Sequence, residues 1–94
     1  MEDGTFHVTL FTQVKGQPLK KKILSSHQDL FPHEAEPFLE NAEEVLLNMI
    51  QFGKDSGFID VSNFTTFILS LTDEKGSAVP EIYPRTSILR QVKN

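Results

Sequence analysis

Between Pro37 and Phe52 the chain reads PFLENAEEVLLNMIQF. Phe38, Ala42, Val45, Leu46, Met49 and Ile50 fall at i, i+4, i+7, i+8, i+11 and i+12. That spacing makes one stripe on a helix of 3.6 residues per turn. Pro37 suits the first helical position, where its missing N–H has no intrahelical partner to lose. Glu34, Glu36 and Glu40 lie near the end where carboxylates meet the positive pole of the helix dipole. Gly53 is the expected left-handed stop, with Lys54 behind it near the negative pole. The opposite face carries Glu40, Glu43, Glu44, Asn48 and Gln51. Leu47 breaks that polar face and admits two interpretations: a wide apolar stripe that reaches it, or an apolar contact point ringed by carboxylates.

The period changes elsewhere. From Thr5 to Val14, Phe6, Val8, Leu10, Thr12 and Val14 alternate with His7, Thr9, Phe11 and Gln13, the period of two of a strand with one buried face. Lys15-Gly16-Gln17-Pro18 reads as a turn. Leu19 to Ser25 reads as the returning strand, and its Lys20-Lys21-Lys22 run suits a sheet edge, where lysine discourages edge-to-edge pairing. Ser26 to Glu36 is then a connector, with a short helical turn at Ser26–Asp29 that Pro32 ends. Phe58 to Leu71 fits either period, but TTFILSL is rich in β-formers and Thr72 to Ser77 follows it as a hairpin turn. A strand is the favoured reading. Ala78 to Tyr83 is expected to be extended, and Thr86 to Val92 is a last short strand or a tail.

These elements predict an α+β fold with strand order ββαβ along the chain, or ββαββ if a fourth strand forms. One amphipathic helix covers one face of a small antiparallel sheet. Residues 1–94 are expected to form one domain, with loose ends at 1–4 and 93–94.

Composition narrows the chemistry. The hydrophobic fraction is 38% and the charged fraction 23%, values that oppose wholesale disorder. With eight Phe, one Tyr and no Trp, Phe is the expected core filler. The absence of cysteine excludes disulfides, thiol catalysis and cysteine-ligated metals from this chain. No apolar run approaches the roughly 18 residues of a membrane span, and MEDGTFHVTLF begins with acids rather than a basic leader. A cytoplasmic protein is the expectation.

The net charge of −4 opposes broad binding to nucleic acid. Its distribution is uneven, with lysines early, glutamates before and within the helix, and Arg85, Arg90 and Lys93 at the end.

Motifs add little. Phe52 to Asn63 echoes a calcium-binding EF-hand loop, with Gly57 sixth, Ile59 eighth and Asp60 ninth. The same register puts Phe52 first, Lys54 third and Asn63 twelfth, where oxygen ligands and a bidentate carboxylate are required. His33 with Glu34 and Glu36 is a sparse metal-ligand set on a proline-flanked segment, short of the rigid three or four ligands that zinc takes. No phosphate loop, nucleophile elbow or H-E-x-x-H occurs. Asp29, Asp55, Asp60 and His7 are raw material for a site assembled in space. No catalytic residue, metal or cofactor is expected.

The expectation for function is therefore a small acidic protein-interaction module: an adaptor, regulator or inhibitor. Its partner is another protein, with a basic one the best match to an acidic helix face of Glu40, Glu43, Glu44, Leu47 and Gln51, or one that adds to an open sheet edge. A homodimer through such an edge is a further option. The alternative is a nucleic-acid contact domain using Lys20, Lys21, Lys22, Arg85 and Arg90, with Phe11 or Tyr83 to stack on a base. A small enzyme comes third.

Overall fold

A computed structural model of the chain describes residues 4–57 and 61–79. The elements run β1 (Gly4–Val14), β2 (Lys20–Leu30), α1 (Pro32–Asp55) and β3 (Phe64–Thr72). The strands form one antiparallel sheet in the order β2-β1-β3. The fold is α+β, with the helix inserted between β2 and β3.

The alternation along β1 comes from its central place. Val8 and Leu10 stand beside Leu71 and Leu69 of β3, and this face packs with Leu39 and Ile50 of the helix in one core. Val61 and Val79 extend that core. On the other face His7, Thr9 and Phe11 stand beside Thr72, Ser70 and Ile68. Thr9, Ser70 and Thr72 are buried there, and the Thr9 and Thr72 hydroxyls share a hydrogen bond of 2.9 Å.

Several boundaries depart from expectation. Gly4 pairs with Leu30 and so belongs to β1 rather than to a loose end. β2 continues to Leu30 in place of a helical turn at Ser26–Asp29. Two irregularities hide it from a period-two reading. Val8 faces Ser25 while Thr9 faces Ile23, so Leu24 is an extra residue; Gln28 and Asp29 together face Thr5. Asp29 has φ +59, a left-handed conformation that Asp tolerates better than most residues.

The helix begins at Pro32, with Pro37 inside it. Pro32 thus takes the first-position role expected of Pro37, and Pro37 lacks the N–H that would bond to the His33 carbonyl. Phe31 holds the cap position. Its ring has no acceptor to offer, but its N–H donates to Glu34 Oε1 at 2.9 Å, which is one half of a capping box. At the far end Gly53 is buried within the helix, and Gly57 supplies the left-handed residue, with φ +79. Its N–H donates to the Lys54 carbonyl at 3.2 Å. A Cβ at Gly57 meets nothing within 4 Å, so backbone strain is the main cost of adding one. Gly57→Ala is expected to lower stability by about 1–2 kcal/mol, read from the urea midpoint, with Gly57→Asn losing less.

The hairpin turn after β3 is present. Asp73 Oδ1 accepts from the N–H of Lys75 at 2.9 Å and of Ser77 at 3.0 Å, while Gly76 has φ +85. Thr72 then bridges Ala78, and Val79 N–H donates to the Leu71 carbonyl. The remainder of the expected extended segment to Tyr83, and the final strand or tail at 86–92, lie outside the described residues.

Candidate functional site

The helix rests on the sheet through a narrow contact. Its buried residues are Pro32, Ala35, Leu39, Ile50 and Gly53, with Ala42, Leu46 and Leu47 packed against the core from the margins. The small residues Ala35, Ala42 and Gly53 recur along the sheet-facing line, which lets the backbone approach closely.

This line is rotated from the expected stripe. Ala42, Leu46 and Ile50 belong to both, but Phe38, Val45, Met49 and Phe52 are exposed at 42%, 47%, 61% and 72%. They lie at i, i+7, i+11 and i+14, which makes them one flank of the helix. Phe38 fixes the direction this flank faces, because its ring stacks on His27 of β2 at 3.9 Å between centroids. The apolar flank therefore overhangs β2, the edge strand.

Leu47 is half-buried and packed against the core. The wide-stripe interpretation describes it, and the exposed apolar centre ringed by carboxylates is not where the sequence put it. Glu40, Glu44 and Gln51 are exposed on the outer face, and Glu43 is half-buried. Gln51 Nε2 donates to Asp55 Oδ1 at 2.9 Å, one turn on. The acidic face exists without an exposed apolar centre, while the large apolar side chains sit on the neighbouring flank.

The lysine run splits as strand geometry requires. Lys20 and Lys22 stand beside Thr12 and Leu10 on the helix side, and Lys21 stands beside Phe11 on the other. All three are exposed. Arg85, Arg90 and Tyr83 lie outside the described residues.

Pairing brings together residues that spacing alone did not. His7 faces Ser26 across β1 and β2, with Nδ1 2.7 Å from the hydroxyl. On the helix side His27 Nε2 is 2.9 Å from Ser25 Oγ. A Ser–His pair resembles the start of a nucleophilic site, but such a site also needs a group that orients the base. Among the described residues neither histidine has a hydrogen-bond partner at its second ring nitrogen. These are cross-strand and same-face polar pairs. The i, i+2 spacing of Ser25 and His27 was the sequence signal for one of them; the other depends on the strand register.

His33 stacks over Phe31 at 6.0 Å, and Glu34 is engaged at the cap. Among the described residues no three His, Asp or Glu side chains form a group that could hold a metal ion. The helix continues through Phe52, Gly53, Lys54 and Asp55, the first four positions of the calcium-loop register. A depression of about 370 Å³ lies between Gly4, Thr5 and Phe6 on one side and Asp73, Glu74 and Lys75 on the other. Asp73 is occupied there in holding its own turn.

No helix among the described residues is long and apolar enough to cross a membrane. Among known proteins, no family model, no curated sequence and no solved structure matches this chain.

Proposed function

We propose that this chain is a protein-interaction module, an adaptor, regulator or inhibitor. Its docking surface is the helix flank Phe38, Val45, Met49 and Phe52 together with the adjoining edge of β2. One observation carries the reading. Four large apolar side chains are exposed in a row beside an edge strand whose outer side pairs with no described strand. Taking about 200 Å² for a fully exposed large side chain, the four present on the order of 400 Å² of apolar surface. That is the size of patch that marks an interaction site on a small domain. Exposed Asn41 and Asn48 supply a polar rim of the kind that borders such patches.

The test pairs wild type with Met49→Glu/Phe52→Glu. Both side chains are mostly exposed, so the variant is expected to melt within a few degrees of wild type. Immobilised wild type is expected to retain a protein whose direct binding, remeasured with purified components, is weakened about a hundredfold or more by the double change, as for hot-spot residues. Equal binding by both forms overturns the surface assignment.

A further inference from the structure

We infer that the flank is occupied by a second copy of this chain, docked antiparallel about a twofold axis. This rests on the reading above and names its partner. Three features of the flank are self-complementary.

The first is spacing. Val45 lies seven residues from Phe38 and seven from Phe52, and seven residues are two helical turns. When two such flanks meet antiparallel about Val45, each Phe38 faces the other copy's Phe52, and Val45 faces its own equivalent. A surface that matches itself after a half-turn is what an isologous dimer requires.

The second is that the strand shares the same centre. The Phe38–His27 stack sets helix and strand in register. From Phe38 to Val45 the helix advances about 10 Å. Three residues of β2, from His27 to Leu24, cover about the same distance. Val45 is therefore level with Leu24, next to Ser25 at the middle of Lys20–Leu30. One axis serves both layers. The two β2 edges lie side by side, and the two helix flanks meet above the seam.

The third is charge. Asp29 and Glu34 lie at the Phe38 end of this surface, and Lys20 and Lys22 lie at the Phe52 end. An antiparallel second copy brings each acidic end to a basic end. A parallel arrangement sets lysine against lysine and acid against acid, which disfavours it. The lysines thus select one docking geometry while still discouraging indiscriminate edge pairing. Size agrees as well. The apolar flank provides about half of the ~800 Å² per partner of a standard interface, and the strand edge is available for the rest.

Sedimentation velocity of the purified chain, from micromolar to millimolar concentration, tests this. Wild type is expected to show twice its 10.7 kDa mass. Lys20→Glu/Lys22→Glu is expected to dissociate at concentrations at least tenfold higher than wild type, and Asp29→Asn/Glu34→Lys likewise. An equal mixture of the two variants is expected to regain the dimer, because each then meets its opposite charge at both ends. Circular dichroism confirms that each variant is folded.

A monomer at every concentration overturns the inference. A dimer indifferent to both charge changes and to Met49→Glu/Phe52→Glu overturns it too, since it forms elsewhere. A monomeric chain that binds a different protein through the same flank overturns this inference alone. A monomer whose flank variant loses no binding overturns the broader reading as well.

Discussion

Leu39→Ala is expected to cost about 2–5 kcal/mol, the range for deleting a buried leucine side chain. Leu39 has no exposed surface and joins the helix to the sheet core. Few other helix residues do so, and several of them are Ala or Gly, which contribute little apolar area. A domain of this length has on the order of 5–14 kcal/mol of stability in total. Each lost kcal/mol moves the melting temperature by about 4–8 °C, so a fall of roughly 8 °C or more is expected in a thermal melt. Val45→Ala is the control. It lies on the same helix but is 47% exposed in the single chain, and at a concentration where the chain is monomeric it is expected to change stability by about 0.5 kcal/mol or less. Comparable losses in the two variants would mean that the helix rests on its other flank.

The buried hydroxyl pair on the opposite face gives the second large effect, and its sign depends on how many partners change. Thr9→Val removes the 2.9 Å bond and leaves the Thr72 hydroxyl with a long 3.5 Å contact to the His7 carbonyl. A buried polar group left poorly satisfied costs about 1–3 kcal/mol. Thr72→Val is expected to cost a similar amount. The double variant Thr9→Val/Thr72→Val removes both polar groups while keeping the β-branched shape, and is expected to lie within about 1 kcal/mol of wild type. Urea unfolding of the four proteins closes the cycle, with an expected coupling of about 1–3 kcal/mol. Strict additivity of the two single losses would mean that the hydroxyls do not depend on each other.

What the sequence disclosed follows from which residues feel one environment. β1 was legible because it is central and packs one face against the helix, so its alternation is unbroken. β3 was legible from its β-forming residues and the Asp73–Ser77 turn. β2 was half legible. Its extra residues at Leu24 and Gln28–Asp29 shift the alternation, and no described strand lies on its far side to enforce one. The helix was plain, but its orientation was not. Apolar residues cover so much of its circumference that periodicity cannot say which part meets the sheet. Ala35 and Gly53 look unremarkable as letters, yet they allow the close approach that turns Phe38, Met49 and Phe52 outward. For the same reason the acidic face could be read while the exposed apolar flank beside it could not. Leu47 drew attention by interrupting a polar face, whereas Phe38, Val45 and Met49 fell on the stripe expected to meet the sheet.

The central place of β1 also has a consequence in time. Its hairpin partner β2 follows within a few residues, but its other partner does not exist until Phe64–Thr72 has been made. The bond between Thr72 and His7 joins residues 65 positions apart. At about 5–20 residues per second of synthesis, β1 waits several seconds with one side paired and the other open. The strand best protected in the finished molecule is thus the last to be enclosed as the chain emerges. The β1–β2 hairpin spends that interval without β3, and a pause in translation between Leu30 and Thr72 lengthens the period in which its open side can pair with the wrong strand.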